Sequence, residues 1–363
     1  MKLIVVVDNL EHGGIATAVK GFYWALKKNY KIDIDFIVFN KCADCIVQEY
    51  GKQNTRIFII PSFRKSLYFK FKNNIYNILK NNGPYDAIHI NIAYLSWIVA
   101  KQAKKVGIKN RVGHGHGAKA VKDSLVYKFL VEIGKKLNRK FCTEMFACSD
   151  KSGEFTFSYG YKFLPNIVRT ELISVQKNMS YYDEFSVDRN DKILGYLGVF
   201  EKEKNAGFIV DILCSFSEDE HIKCVMAGDG TELDNVINKV KERGIENRFR
   251  FIGYRKDGND LLKFYDVLIA PSFSEGMSLT LLEAQLTGTP CIVSKQIPKT
   301  NNLQLGLYYE VDGFDPVKWK IAILKALIDK HNLSLENRLK KLQEIGYDDK
   351  SVARDLYEAF TKW

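Results

Sequence analysis

The chain has 363 residues, more than one hydrophobic core usually holds, and this length suits two domains. Hydrophobic residues make up 46% and charged residues 27%, as in ordinary soluble proteins, and no apolar run approaches the ~18 residues of a membrane span. The net charge of +11 is uneven, because residues 1–165 hold 27 lysines and arginines against 12 aspartates and glutamates. This excess favours partners of negative charge. No helix-turn-helix, RNA-recognition or zinc-finger signature accompanies it, so nucleic acid is not an expected partner.

Apolar runs typical of buried strands alternate with helical patterns along the whole chain. In the first half we predict strands at Leu3–Val7, Ile34–Val38, Arg56–Ile60, Ala87–Ile90, Arg111–Gly113 and Phe146–Cys148, and helices near Ala16–Lys28, Tyr68–Leu79 and Leu95–Val106. In the second half we predict strands at Ile193–Leu197, Lys223–Met226, Phe249–Ile252 and Asp266–Ala270, and helices near Gly207–Phe216 and Glu232–Arg243. The alternation predicts the α/β class, with two doubly wound, Rossmann-like domains.

The domain boundary is predicted close to Pro165-Asn166, which gives domains of residues 1–165 and 166–348. The stretch Ser174–Arg189 has no apolar periodicity and is predicted to be a loop. The last segment, residues 349–363, has the pattern of an amphipathic helix.

Two glutamates eight residues apart are the most informative local feature. Glu275 follows the predicted strand Asp266–Ala270, and open α/β sheets bind ligands at the carboxyl ends of their strands. Glu283 lies about one turn into the next helix, on the face that Leu279 occupies. The N–H groups of Gly276 to Leu279 are expected to be unpaired and to form an anion site. Carboxylates for sugar hydroxyls and a ribose diol, beside a phosphate site, together describe a nucleotide sugar.

The N-terminal run lacks the length and the small-residue cleavage site of a signal peptide, so we expect a first strand and a cytosolic protein. Cys42 and Cys45 form a lone CxxC without a second pair or a histidine at zinc spacing. Free cytosolic thiols are the main interpretation, and a zinc or redox site is the alternative. Asp33-Ile-Asp35 opens a strand and is expected to lie at the surface, not at a metal site.

A series of motifs continues this pattern along nearly the whole chain: Gly13-Gly14, Asp86-Ala-Ile-His89, Arg111-Val-Gly-His-Gly-His116, Phe146-Ala-Cys-Ser149, Pro165-Asn166, Gly195-Tyr-Leu-Gly198, Glu203-Lys-Asn205, Gly228-Asp-Gly230, Phe251-Ile-Gly253, the Glu275–Glu283 run and Cys291–Lys299. In this order they resemble the retaining glycosyltransferases of family four, in the branch that builds bacterial exopolysaccharides and capsules. The resemblance implies the GT-B fold, in which two Rossmann-like domains face each other across a cleft. The first domain would be the acceptor side, with the helix 349–363 packing back on it, and the second would bind the donor.

The resemblance also implies a role for each matched residue. Glu275 would contact the donor sugar, Glu283 the nucleotide ribose, Lys204 the diphosphate and His116 the donor sugar; His116, Glu275 and Lys204 form the predicted catalytic set. The other predicted donor-binding residues are Gly13, Gly14, Tyr254, Gly276, Met277, Ser278 and Leu279. In this family the position of Tyr254 reads the base, and the glycine pair lets the first loop approach its ligand without a Cβ in the way.

The implied reaction moves a sugar, with retention of its anomeric configuration, from a nucleoside-diphosphate donor (a UDP-sugar by preference) to a growing surface glycan or lipid-linked acceptor. It needs neither metal nor cofactor, because lysine and a helix start stabilise the charge of the leaving diphosphate. One departure concerns Val199, which stands where the family usually has an arginine. We expect Lys204 alone, or Lys202, to hold the diphosphate. The alternatives are a non-catalytic subunit of a glycan-assembly complex and a nucleotide-sugar epimerase; the glutamate pair argues against the second.

Other features leave two interpretations open. His114 and His116 are predicted in a loop after a strand, where His116 is the better candidate for function, and His89 is expected to be structural. Gly228-Asp-Gly230 fits either a tight turn or a donor contact. The stretches Phe63–Lys72 and Lys119–Lys140 mix apolar or aromatic residues with positive charge. They suit peripheral binding to an anionic membrane at the inner face, or helices with solvated lysines.

Overall fold

A computed structural model describes the protein except for a few short stretches and the side chains of residues 45, 49, 126 and 172. The described ranges are 1–11, 13–40, 42–52, 54–64, 67–117, 125–174, 176–329 and 333–363. The beginning of the predicted basic stretch, at residues 119–124, and the Cys45 side chain lie outside them. The chain forms two compact units, Met1–Ile167 with Gly346–Trp363, and Val168–Ile345.

The first unit contains a parallel sheet of seven strands in the order β3-β2-β1-β4-β5-β6-β7. The strands are β1 Lys2–Val7, β2 Asp33–Phe39, β3 Ile57–Ile60, β4 Ala87–Asn91, β5 Asn110–Gly115, β6 Glu144–Ala147 and β7 Lys162–Phe163. The helices that connect them are α1 Gly14–Asn29, α2 Asp44–Gly51, α3 Tyr68–Asn82, α4 Ser96–Lys105, α5 Leu125–Phe141 and α6 Asp150–Thr156.

The second unit contains a parallel sheet of six strands in the order β10-β9-β8-β11-β12-β13. Its strands are β8 Lys192–Leu197, β9 Ile222–Ala227, β10 Phe249–Phe251, β11 Val267–Ala270, β12 Cys291–Ser294 and β13 Tyr308–Val311. Its helices are α7 Ser180–Glu184, α8 Phe208–Cys214, α9 Leu233–Glu242, α10 Gly258–Phe264, α11 Leu279–Thr287, α12 Pro316–Ile328 and α13 Leu335–Glu344. The last helix of the chain, α14 Asp349–Thr361, belongs to the first unit.

Both sheets are covered on two faces, which explains why most of their strands are apolar runs. In β1, Leu3, Val5 and Val7 join the core under α1 and α14. The alternate residues Ile4 and Val6 join a second core under α3 and α4. The α/β class predicted from the alternating pattern is confirmed.

Two local predictions were wrong. The predicted loop Ser174–Arg189 contains α7, whose Tyr181 and Tyr182 rings lie 5.4 and 5.1 Å from the ring of Phe264. These apolar residues are too few and too closely spaced to give a periodic signal. In the first unit β5 extends to Gly115, so His114 is a buried strand residue and not part of a loop.

Among the described residues, no helix combines the length and the apolar character that crossing a bilayer requires.

We predict that α14 stabilises the first unit. Leu356 is fully buried in the core that α14 shares with α1, so Leu356→Ala should lower the free energy of unfolding by about 2–5 kcal/mol. The exposed Glu358 on the same helix provides the control, since Glu358→Ala should change stability by less than about 0.5 kcal/mol. Denaturant unfolding followed by circular dichroism measures both, and equal effects would contradict the assignment.

Candidate active site

The centre of the second unit's sheet is the place where its winding reverses direction. The strands β8 and β11 are hydrogen-bonded neighbours there, with Val267 opposite Leu194 and Leu268 opposite Gly195. A Cβ on Gly195 would lie 2.0 Å from the ring of Tyr265, so only glycine fits at this crossing. Ligands of open α/β sheets bind at such reversal points, beside the carboxyl ends of the strands. The loops after β8 and β11 carry Lys204 and Glu275.

The structure brings Lys204 and Glu275 together. The Lys204 ammonium donates to Glu275 Oε1, and the Ser272 hydroxyl donates to the same oxygen at 3.0 Å. Both side chains are largely buried, with 26% and 12% exposed. Asn205, in a left-handed conformation, donates its amide to the carbonyl of Pro271 at 3.2 Å and joins the two loops. Because an ammonium has three N–H donors, Lys204 can hold Glu275 and a phosphate oxygen at the same time.

The glycines of Gly228-Asp-Gly230 let the loop after β9 pack against the loop after β8. A Cβ on Gly228 would lie 1.8 Å from the carbonyl oxygen of Gly198, and one on Gly230 would lie 2.4 Å from that of Phe200. The N–H of Phe200 donates to the carbonyl of Asp229 at 2.9 Å. This close approach is a structural reason for both glycines, and it supports the shape of the Lys204 loop.

The start of α11 is held by a residue that the sequence analysis did not identify. Asn301 is fully buried, its Oδ1 accepts from the N–H of Ser278 at 2.6 Å, and its amide donates to the carbonyl of Gly276 at 3.0 Å. The expectation of four unpaired N–H groups from Gly276 to Leu279 was therefore wrong for Ser278. The N–H of Leu279, at the first position of α11, has no acceptor within its own helix and points out of the helix start.

Glu283 begins the second turn of α11 and is half-buried. Burial raises the pKa of its carboxyl to about 7. A carboxyl that titrates near neutrality in a ligand site is a candidate for function. It accepts hydrogen bonds from a diol best in the ionised form.

Other predicted donor residues lie on loops of the same unit. Tyr254 follows Gly253, which has a φ of +66°, and its side chain is 63% exposed. Met277 and Leu279 are buried, which suits contacts through the main chain. Val199 is 45% exposed, and its carbonyl accepts from the Tyr196 hydroxyl at 2.6 Å.

Lys202 and Lys204 belong to the same turn but have different surroundings. Lys202 lines a cavity of about 370 Å³ bounded by the starts of α8 and α9. Lys204 and Glu275 are not among the residues that line this cavity. The geometry therefore associates Lys204, and not Lys202, with the glutamate.

In the first unit, Gly13 and Gly14 form the entry to α1. Gly13 has a φ of +98°, a conformation that side chains other than glycine rarely adopt. No heavy atom lies within 4 Å of the position that a Cβ would take on either residue. The open space agrees with the predicted approach of a ligand, which remains a prediction.

In the repeat Gly113-His114-Gly115-His116, the two-residue period of a strand places the glycines on one side and the histidines on the other. The glycines face α6 and its neighbours, where a Cβ on Gly115 would lie 2.7 Å from the Thr156 hydroxyl. The histidines face the opposite side. Their rings stack on each other with centroids 4.1 Å apart, and that of His114 stacks on Phe22 of α1 at 5.2 Å.

Asn91, at the end of β4, determines which ring nitrogen of His116 carries the proton. This residue was also not predicted from the sequence. Its amide nitrogen donates to the carbonyl of Val6 at 3.3 Å, so its Oδ1 faces His116 Nε2 at 2.7 Å. Because that oxygen only accepts, Nε2 must carry the proton. The other ring nitrogen, Nδ1, is buried, and Asn166 also contacts the ring. The His116 ring is thus turned into the protein, and its contact with a sugar stays a prediction.

Burial keeps this group of histidines neutral. It lowers the pKa of His116 to about 4 and that of His89 to about 3, and it lowers the pKa of His114 well below its ordinary value. His89 Nε2 lies 3.2 Å from His114 Nδ1. The predicted structural role of His89 fits this position.

Asp35, one of the residues considered for metal binding, has other partners. Asp33 is exposed at the start of β2, but Asp35 is buried, so the expected surface position was wrong for Asp35. Asp35 accepts from Arg56 at 2.7 Å and from the Tyr85 hydroxyl at 2.8 Å. Over the described part of the chain, no three His, Cys, Asp or Glu side chains are grouped as metal ligands.

We predict that the neutral histidines make the protein sensitive to acid. Each has a folded pKa below its unfolded value near 6.5. The contribution of each neutral histidine to the free energy of unfolding is therefore fully present above pH 6.5 and is lost as the pH drops below that value. The loss should reach about 1.4 kcal/mol per pH unit for each titrating histidine. His114→Phe keeps a ring in the stack and should reduce this slope in denaturant titrations between pH 7 and 5.

The exposed His221, with 69% of its side chain accessible, is the matched control. His221→Asn should leave the free energy of unfolding at pH 7 within about 0.5 kcal/mol of wild type, since asparagine also tolerates the left-handed backbone at this position. A slope that His114→Phe does not reduce would contradict the account.

Comparison with known proteins shows which enzymes this chain resembles. Residues 182–303 match the family model of the glycosyl transferases group 1. EpsF, assigned as a glycosyltransferase in Bacillus subtilis (strain 168), is 26% identical over 96% of this chain and 93% of its own. The UDP-Gal:alpha-D-GlcNAc-diphosphoundecaprenol alpha-1,3-galactosyltransferase of Escherichia coli is 27% identical over 80% of this chain and 77% of its own.

A similar solved structure is that of HepE from Anabaena in complex with UDP and glucose. It aligns with a TM-score of 0.81 at 17% identity and covers 100% of both chains, which shows a shared fold. With the two doubly wound units and the matched domain, these similarities identify the protein as a glycosyltransferase of the GT-B fold.

Proposed function

We propose that this glycosyltransferase is a retaining enzyme of family four that uses a nucleoside-diphosphate sugar, in the first place a UDP-sugar, without a metal ion. The acceptor is a growing surface glycan or a lipid-linked sugar, and the enzyme works in the cytoplasm, peripherally at the inner face of the membrane. Among related proteins, the HepE complex contains UDP and the Escherichia coli relative is described as a UDP-Gal-dependent enzyme. Both support the proposed donor class.

The Lys204–Glu275 pair at the reversal point of the second sheet is the observation that carries the proposal. The donor's diphosphate would lie between the Lys204 ammonium and the N–H groups at the start of α11. Positive charge and N–H donors at that point stabilise the negative charge that develops as the diphosphate leaves. Ser272 and Asn205 hold the pair in place before any ligand binds, so little reorganisation is needed.

The proposed chemistry needs no protein base. The bond between the anomeric carbon and the diphosphate oxygen breaks while the acceptor oxygen forms its bond on the same face. The acceptor proton passes to the leaving phosphate oxygen. Glu275 would hold sugar hydroxyls near the anomeric carbon, and Glu283 the ribose diol. His116, Gly13 and Gly14, which belong to the first unit, are further proposed ligand residues.

The first experiment tests which lysine holds the diphosphate. A panel of nucleotide sugars is screened for transfer and for donor hydrolysis. Lys204→Ala should lower kcat by about 100- to 1,000-fold, because it removes the charge opposite the leaving group. Lys202→Ala, in the same turn but lining the cavity at the starts of α8 and α9, should change kcat by less than about threefold. The reverse order would assign the diphosphate to Lys202, and no turnover with any donor would favour the non-catalytic alternative.

The second experiment restores the cation that the sequence lacks. Val199 is partly exposed, so Val199→Arg can extend its side chain without filling the core. A charged hydrogen bond to the diphosphate should raise kcat/KM for the donor by roughly tenfold. Val199→Leu is the control for size. An equal gain with leucine would show that charge is not the cause.

The third experiment uses the raised pKa of Glu283. Because the ionised carboxyl binds the diol, the Kd of the nucleotide sugar should rise as the pH falls through about 7. Glu283→Gln should bind weakly at all pH values and lose the dependence. A nucleotide sugar is a better probe than free UDP, whose terminal phosphate titrates in the same range. An unchanged pH dependence in Glu283→Gln would contradict the role.

A further inference from the structure

The positive charge of the protein is concentrated on three neighbouring helices. The helices α3, α4 and α5 carry eleven lysines and arginines and one glutamate. Their combined charge of +10 is nearly equal to the net charge of the whole chain, which is +11. They follow β3, β4 and β5, and α4 packs between the other two on one face of the first sheet. The one acidic residue, Glu132, is 2.6 Å from Lys135 in an ion pair. On these three helices the basic residues therefore outnumber the acidic one by ten.

An apolar stripe runs along the outer side of α5. Leu125, Phe129 and Ile133 are spaced by four residues, so they lie on one line along the helix, and they are 83, 66 and 36% exposed. The exposed Lys128 and Lys136 flank them on the same side. A soluble helix normally turns such residues toward its core, so an exposed stripe of this kind indicates a binding surface.

A second exposed ring lies on α3. Phe69 is 70% exposed, and the ammonium of Lys72 lies 4.5 Å from the centre of its ring. Tyr68 beside it lies 6.5 Å from Trp97 at the start of α4. An aromatic contact of 5.8 Å, between Tyr94 and Tyr127, joins the turn before α4 to the start of α5. The first turns of the three helices thus form one continuous region.

This region lies toward the carboxyl edge of the first unit's sheet. Each of α3, α4 and α5 comes after a parallel strand in chain order, so the first turns of these helices lie toward the carboxyl edge of the sheet. The loop of Gly13 and Gly14 and the residue His116 lie at that same edge.

We propose that this surface, formed by Phe69, Leu125, Lys128, Phe129, Ile133 and Lys136, docks on the anionic face of a lipid bilayer. Its rings and Leu125 enter the headgroup region, and its lysines meet lipid phosphates. A protein partner would need acidic residues over the same area, whereas a bilayer supplies negative charge and an apolar layer together. The proposal rests on the proposed transfer to a lipid-linked acceptor, which would reach the carboxyl edge of the first unit directly from the docked bilayer.

Vesicle flotation of the full-length protein tests the surface. We expect retention at low salt on vesicles that contain phosphatidylglycerol, and loss of retention on phosphatidylcholine alone. Phe129→Asp should reduce the partition coefficient at least tenfold, and Lys128→Gln or Lys136→Gln about fivefold each. Because these side chains are exposed, the variants should keep the wild-type melting temperature.

Two matched variants on the second unit are the controls. Ile321→Asp changes a side chain that is 63% exposed on α12, and Lys241→Gln removes an exposed charge on α9. Neither should change retention. No binding to anionic vesicles, equal binding to neutral ones, or equal loss with Ile321→Asp would overturn the proposal. Hydrolysis of a nucleotide sugar in solution is measured in parallel, since it should persist in Phe129→Asp and reports on the proposed function separately.

Discussion

The adjacency of β8 and β11 is the constraint on which the candidate donor site depends. Residues separated by 71 positions, Lys204 and Glu275, meet because their strands are hydrogen-bonded neighbours at the point where the sheet reverses its winding. Contacts around the pair, such as that between Asn205 and the carbonyl of Pro271, hold the two loops in place. The glycines at 228 and 230 allow a third loop to approach, and Asn301 fixes the start of α11. The order of the strands in the sheet thus determines that these two side chains can meet.

The fold and the residue types of the site were accessible from the sequence because they leave periodic or ordered signals. Buried strands are apolar runs, and the glutamate pair stands after one of them. The partners of these residues leave no such signal. Asn91 and Asn301 act through long-range amide contacts that no local spacing encodes. The limit of β5 was missed for a similar reason, since glycine and histidine are weak strand formers. The segment is a strand through its pairing with β6 and its packing against Phe22 and α6.

Charge is arranged differently in the candidate site and on the helical face of the first unit. Lys204 and Glu275 form a largely buried ion pair within one small region of the second unit. In the first unit the histidines at the carboxyl edge are kept neutral by burial, while the positive charge is spread over the outer side of three helices. A small anionic ligand and an extended anionic surface call for these two arrangements respectively.

The proposed contact between the half-buried carboxyl of Glu283 and the donor's ribose diol has a consequence for the thermodynamics of donor binding. At neutral pH it is protonated in a substantial share of molecules, since its pKa is about 7. A diol that binds the ionised form drives that proton into the solvent. The heat of donor binding measured by calorimetry then includes the ionisation enthalpy of the buffer, so it should differ between phosphate and Tris although the affinity is the same. The number of protons released per donor follows directly from that difference.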